Sequence, residues 1–278
     1  MDINIGGLME NKREVQIIIE ETYAKNNLMK RMLSEFKDNE QVDLSAMFQN
    51  IGITEKFGYS LLVQMALHKR ASIETLVGVL RNTYETIEEI LTALELSLLA
   101  GLVLFDPNTE MFIVSVDVSK ETQHDLDLYQ YPIPMIVEPK QVRNNREYGY
   151  LTFKGSVILK NNHHDNDVNL THLNRMNKIK LRINSNTANF TNLKWKGLDT
   201  KKEDESLEDY RKRIRAFDKY VRDSHYVMGI VGDEPFWLTH RYDKRGRTYC
   251  SGYHINYQGA DWNKAVVEFA EEEIVPLD

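Results

Sequence analysis

Cysteine is nearly absent from this sequence: Cys250 is the only one in 278 residues. No disulfide can form within the chain, and a reducing, intracellular compartment is expected. Long apolar runs are missing as well, and none approaches the roughly 20 residues that a bilayer-spanning helix needs. The segment after Met1 has no secretory pattern, so a soluble cytoplasmic protein with no membrane contact is expected. Proline is scarce, six residues in all, and three of them crowd between 132 and 139. A surplus of positive charge is also lacking, since 35 Lys and Arg stand against 42 Asp and Glu, a net of -7. Phosphate neutralisation supplies most non-specific nucleic-acid affinity, so that balance, taken whole, argues against such a partner.

The distribution of charge reverses the impression. Residues 1–138 carry a net -11, whereas 139–182 carry +6 and 211–247 carry +5; residues 183–210 and 248–278 are acidic again, at -2 and -5. Two basic segments inside an otherwise acidic chain are what one wall of a nucleic-acid channel requires. The length suffices for one large or two modest domains, each with its own core.

Helical periodicity runs through residues 13–36, with Val15, Ile18, Ile19, Met29, Met32, Leu33 and Phe36 near one face. Residues 37–58 read as a polar connector with a short helix at Leu44–Gln49. From 59 to 116 the pattern predicts a compact unit. A helix carries Leu61, Leu62, Met65 and Ala66; a second spans Ile73–Leu80 behind Ser72 as cap; a third spans Ile87–Leu98 and stops at Gly101. A hairpin follows, with Val103, Phe105, Phe112, Val114 and Val116 on its arms and Asp106–Thr109 as the turn. That order is a winged helix-turn-helix. Its third helix exposes Glu85, Glu88, Glu89 and Glu95 and no Lys or Arg, so phosphates repel it. A docking or structural role is favoured over DNA reading.

Residues 119–130 read as an acidic linker, and the prolines of 131–139 force an extended path. Residues 148–160 alternate like a short hairpin. His163, His164 and Asp165 lack the ligand spacing of a zinc site and read as a polar loop. Residues 168–184 predict a helix with Arg175, Lys178 and Arg182 on one stripe. After a solvated charge run at 201–205, Ser206 caps a helix with Ile214, Phe217 and Val221 on an apolar face and Arg211, Arg215, Lys219 and Arg222 on a basic one. Ala265, Val266, Phe269 and Ala270 read as a last helical stripe, which Pro276 ends.

The most informative stretch runs from Phe236 to Lys264. Gly246, wedged between Arg245 and Arg247, lets the backbone turn tightly, and forked guanidiniums suit phosphates. On an extended strand Arg245 and Arg247 share a face, and Asp243 can orient one of them by a bidentate pair. Asp243-x-x-Gly246-Arg247, then Tyr249, Asn256-Tyr257-Gln258-Gly259 and Lys264, resemble the thumb–palm border of the phage and mitochondrial single-subunit DNA-dependent RNA polymerases. About thirty residues stand in register; Tyr257 occupies a place where that family has Pro. Pro134-Met135-Ile136-Val137-Glu138-Pro139 is similar to the family's Pro-Met-Val-x-Pro-Pro element, and Ile183-Asn184 to the end of a family helix. An α+β fold is expected. Patterning alone gives an acidic, mostly helical N-terminal domain over 1–130 with the winged-helix-like unit at 59–116, a region the resemblance does not reach. The resemblance implies the remainder of that domain with a basic helix over 131–205, a short helical thumb at 206–228, and the first strands of a palm over 229–278.

Family catalysis rests on two palm aspartates that hold Mg2+ ions, and both lie beyond this motif. Only 31 residues follow Arg247, and Asp261 and Asp278 stand in no matching context. The resemblance therefore implies no catalytic and no metal-binding residue here. It points to the non-catalytic small subunit of a heterodimeric phage polymerase, with Mg2+ held by a large catalytic partner, in the cytoplasm of an infected bacterial host. Asp243, Arg245, Gly246, Arg247 and Tyr249 would position the DNA template and RNA–DNA hybrid. Asn256, Gln258 and Gly259 would meet nucleic acid or the adjoining palm, and Lys264 a phosphate. Arg175 and Lys178 would present a basic stripe to phosphates, and Arg211, Arg215 and Lys219 would track the hybrid from the thumb. Val266, Phe269 and the strand at Tyr249–Tyr253 are expected at the subunit interface. An accessory single-stranded DNA-binding protein is compatible with that role, although no residue identifies it. Two other readings stay open, a degenerate polymerase remnant and a winged-helix regulator with a basic C-terminal region; the acidic third helix opposes the latter.

Overall fold

The computed structural model describes residues 12–129, 132–159, 162–189 and 197–271. The architecture is α+β, with small antiparallel sheets between many helices. Residues 22–129 form one compact unit, and residues up to 21 together with those from 130 onward form another.

The described residues open with α1 (Lys12–Thr22) and α2 (Lys25–Lys37). The single helix expected over 13–36 is thus two helices, because Ala24 is extended at φ -70°, ψ 133°. α2 then buries Leu28, Met32 and Phe36, one per turn. α3 (Leu44–Ile51) is capped by Asp43 and closed by left-handed Gly52. α4 (Glu55–His68) starts inside the stretch read as connector, capped by Thr54. It is buried on nearly every side, as a helix through the middle of a core must be. Gly58 lets α4 lie against Phe48, since a Cβ there would come within 2.7 Å of that ring.

β1 (Arg70–Ala71), α5 (Ile73–Leu80), α6 (Ile87–Leu99), β2 (Val103–Asp106) and β3 (Met111–Val114) follow, so helices and then a hairpin come in the order expected over 59–116. Ser72 caps α5, and Thr86 with Glu89 forms a full capping box on α6. The strand order is β1-β3-β2, with Phe105 opposite Phe112. Val116 lies beyond the strand. The expected linker at 119–130 is a helix, α7 (Lys120–Tyr129), packed on α2. Its buried residues include Thr122 and Asp125, which meet Arg31, and Ser119 at its start bonds to Glu35. Polar groups buried in pairs leave no hydropathy signal, and among the described residues only Leu126 and Leu128 add apolar burial to this helix.

In the other unit Gln16 and Glu20 of α1 are buried. The Glu20 carboxylate accepts from the amides of Leu151 and Thr152 at 2.9 and 2.5 Å and from the Thr152 hydroxyl at 2.7 Å. Those amides are consumed there, so the hairpin expected at 148–160 does not form. The described residues of 131–139 form no helix, as expected, but the path bends at Ile136 and Val137, and Met135 pairs with Trp237.

The helix expected over 168–184 is only α8 (Leu170–Asn177); β4 (Leu181–Ile183) and α9 (Ser185–Asn189) follow. Lys-Ile-Lys-Leu-Arg-Ile at 178–183 alternates with period two, a strand pattern that the helical reading overlooked. Arg182 therefore faces Glu268 at 2.6 Å and is not on a stripe with Arg175 and Lys178. α10 (Leu207–Val231) has 25 residues and runs slightly past the end of the helix expected over 206–228. It buries Tyr220, Asp223, Ser224, Val227, Met228 and Val231, whereas the predicted face at Ile214, Phe217 and Val221 is only half-buried. Glu205, read as part of a solvated run, grips Arg213 fork on fork at 2.8 Å. That bond holds its carboxyl down to about 2.

β5 (His240–Tyr242) and β6 (Thr248–Cys250) form a hairpin. α11 (Asp261–Val266) leads into β7 (Val267–Phe269), which pairs with β4. The last helical stripe is thus a short helix and a strand: Val266 is buried and Phe269 is exposed. Pro276 lies outside the described residues.

Candidate nucleic-acid interface

The Asp243-to-Arg247 segment is the turn of the β5–β6 hairpin, not a strand. Gly246 takes φ +79°, the left-handed conformation its place demands. Asp243 builds the turn. One oxygen, Oδ1, accepts from the amides of Arg245 and Arg247 at 2.8 and 3.0 Å. The other, Oδ2, takes both Nε and Nη2 of Arg247 at 2.8 Å. Arg245 Nε stands 3.4 Å away. The two-donor grip expected of Asp243 falls on Arg247, whose guanidinium also lies 5.5 Å over the Tyr249 ring. Burial pushes the Asp243 carboxyl up, but the amide and guanidinium of Arg247 outweigh it and hold the acid below its usual range. Arg245 and Arg247 remain more than half exposed, and Lys244 is exposed beside them. The tip therefore offers an aimed guanidinium with two further cations.

Neighbouring segments brace this hairpin on both edges. Residues 157–159 add to β5 through Leu159 to Tyr242 and Tyr242 to Val157, each 2.7 Å. On the β6 edge the Gln258 side chain imitates a strand, accepting from the Cys250 amide at 2.7 Å and donating to the Thr248 carbonyl at 3.2 Å. Asn256 spends its side chain on the Gly252 carbonyl and the Gln258 amide. Both amides, expected to meet nucleic acid or the adjoining palm, thus hold the 251–259 turn. Gly259 rests on Asn263, where a Cβ would come within 2.9 Å. Lys264, in the last turn of α11, is exposed and 3.8 Å from Asp261.

Four residues that the sequence reading missed carry the frame. His240 is buried; its amide and Nδ1 both lie 2.9 Å from Asn177 Oδ1, and Nε2 lies 2.6 Å from the Tyr257 hydroxyl. An oxygen that accepts the amide also accepts Nδ1–H, which leaves Nε2 to accept from Tyr257. Burial, with a smaller contribution from His172, pulls the imidazole down to about 4. Burial likewise pushes the Tyr257 hydroxyl far up, so it stays a donor. Tyr257 therefore ties the 251–259 turn to β5. Arg241 completes the set, donating to the Ser156 carbonyl at 2.9 Å and lying 4.8 Å over Tyr148. Cys250 is buried, its thiol pushed up to about 12, and is no nucleophile at neutral pH.

The other cations divide into two groups. Arg175 on α8 and Lys178 at its C-cap are exposed, and Asn177 between them joins α8 to β5. Arg211 and Arg215 stand exposed on the first half of α10, and Lys219 is half-buried. Tyr220, one residue on, bonds to Asn263 at 2.5 Å. α10 is thereby joined to α11, but no bond among the described residues brings Arg211 or Arg215 to the hairpin. His163 bonds Ser156 and Asp165, which also holds Arg146. Among the described residues no three His, Cys, Asp or Glu side chains converge as a metal site, and no helix is long and apolar enough to cross a membrane.

No protein-family model matches the chain. Among curated proteins it is similar to one of Agaricus bitorquis described as "Probable DNA-directed RNA polymerase", at 25% identity over 197 residues. The match takes in 61% of this chain but only 18% of that protein's length.

Proposed function

We propose that this chain is the non-catalytic small subunit of a two-polypeptide, phage-type DNA-directed RNA polymerase, active in the cytoplasm of the infected host. It supplies the wall that grips the template strand and the RNA–DNA hybrid. The observation that carries the reading is the hairpin tip: one carboxylate builds the turn and aims Arg247, with Lys244 and Arg245 exposed beside it. The similarity to a described DNA-directed RNA polymerase supports the same direction. A pre-aimed guanidinium meets a backbone phosphate without reorganising, which is how positioned donors contribute most. Arg175, Lys178, Arg211 and Arg215 extend the cationic surface, and Gln258, Asn256, His240 and Tyr257 act by holding the hairpin.

Nucleotidyl transfer in such an enzyme needs metal-bound carboxylates. The donors present do not fit that centre, since Asp243 is committed to Arg247 and Asp261 stands alone in solvent beside Lys264. The Mg2+ ions and their aspartates belong, in this reading, to the catalytic partner.

The test is assembly followed by RNA synthesis. Tagged chain should co-purify with a catalytic polypeptide of about 400 residues, the size that a palm with fingers needs. The complex should extend an RNA primer on single-stranded DNA. Arg247→Ala should leave assembly intact and slow extension about 100-fold or more, the usual cost of losing one aimed donor. Undiminished extension by that variant would sink the assignment, as would a chain that retains no RNA-synthesising partner.

A further inference from the structure

The winged-helix-like unit has an open groove where a DNA-reading surface would be expected. α5, α6 and the β2–β3 hairpin enclose about 790 Å³. Its floor is Leu94 and Phe112, both buried, and its walls are Ile73, Leu91 and Phe105, exposed at 41, 38 and 42%. Large apolar side chains gathered at that exposure mark a contact surface. The rim is formed by Glu74, Glu95 and Glu110, and no Lys or Arg lines the groove. A bond from Ser72 holds the Glu74 carboxyl below its usual range, so it is ionised at neutral pH. Glu110 sits at φ 54°, a left-handed conformation that Gly or Asn takes more easily.

The unit as a whole has the same bias. Residues 22–129 carry 9 Lys and Arg against 16 Asp and Glu, a net of -7, which equals the net charge of the entire chain. The rest of the sequence is neutral in sum. Acidity is therefore concentrated in the one unit that holds the apolar groove.

We infer that this groove docks a basic amphipathic helix of another polypeptide, with its apolar stripe on Ile73, Leu91 and Phe105 and its Lys or Arg flanks on the three glutamates. Side-chain walls with no cation suit helix-in-groove recognition, in which anchors recur at i, i+3, i+4 and i+7. The same rim repels nucleic acid. Nothing in this groove depends on the polymerase assignment.

The probe is a fluorescein-labelled 16-residue peptide with Leu at i, i+3, i+4 and i+7 and Lys elsewhere, titrated by anisotropy against the full chain. Binding should come with a gain of peptide helicity by circular dichroism. A scrambled peptide of the same composition should bind at least tenfold more weakly. Leu91→Ser should weaken binding at least fivefold, and the pair Glu95→Lys, Glu110→Lys at least tenfold. The pair Glu40→Lys, Asp117→Lys makes the same charge change outside the groove and should cost less than threefold. All these side chains are exposed, and unchanged circular dichroism of each variant verifies the fold. Equal losses from the two charge pairs, equal binding of the scrambled peptide, or indifference to Leu91→Ser would overturn the inference. Self-association of the chain that Leu91→Ser abolishes would replace the partner helix with a second copy.

Discussion

Acidification should loosen the hairpin frame through one imidazole. His240 is 1% exposed and bonded at both ring nitrogens. In the unfolded chain it titrates near 6.5, and in the fold near about 4. A base whose folded value is lowered takes its proton first when unfolded. Its contribution is therefore complete above about 6.5, falls through the window down to 4, and is flat below. At about 1.4 kcal/mol per unit the loss across that window is about 3 kcal/mol, a large share of the 5–15 kcal/mol that typically holds a fold. Urea unfolding of the wild type at pH 7, 6, 5 and 4, set beside His240→Phe, isolates the effect, because other groups titrate in both proteins. The wild type should lose about 3 kcal/mol more than the variant over that range. The His240 ring followed by NMR should stay neutral down to about pH 5. Parallel pH dependences, or an imidazole that charges above pH 6 in the folded protein, would refute the reasoning.

Asp243→Asn retains one oxygen for the two turn amides but places an NH2 group against Arg247. Melting should shift little while RNA synthesis by the assembled complex falls about tenfold; full activity would show that the aim of Arg247 is irrelevant. Glu20→Ala strands the buried amides of Leu151 and Thr152 and should cost about 3–5 kcal/mol in urea unfolding, with faster hydrogen exchange at those two amides. A loss below about 1 kcal/mol would mean that water replaces the carboxylate. Gly58→Ala sets a methyl against the Phe48 ring and should destabilise residues 22–129 by about 1–3 kcal/mol, read as earlier melting of the helical signal.

The order of helices and hairpin over 59–116 was legible because its signals are local: Ser72 as a cap, apolar spacing in α5 and α6, Gly101 after the third helix. The tight turn at Gly246 and the grip of Asp243 on Arg247 were legible for the same reason, since five residues contain every group involved. What escaped is non-local. Glu20 meets Leu151 and Thr152 across more than 130 residues, and Arg31 meets Asp125 across more than 90; in each case a buried polar pair looks like two surface residues in sequence. The strand character of 181–183 was visible as alternation but lost to a basic spacing that suited a helix. Asn256 and Gln258 were recognised as special, yet their partners are the chain's own amides and carbonyls, and residue type alone does not distinguish a backbone brace from a nucleic-acid contact.

α10 has fully buried residues only from Tyr220 onward, so its first thirteen residues, half-buried at most, stand as a lever about 20 Å long. The Arg213–Glu205 fork and the Tyr210 hydroxyl on the carbonyls of Leu198 and Asp199 stiffen it from one side. Its pivot is the Tyr220–Asn263 bond. A rotation of about five degrees there carries Leu207 through about 2 Å, with Arg215 and Arg211 moving in proportion to their distance from the joint. Strain at α11 would reach those two guanidiniums as travel, with the 197–205 segment carried along by its bonds to Tyr210 and Arg213.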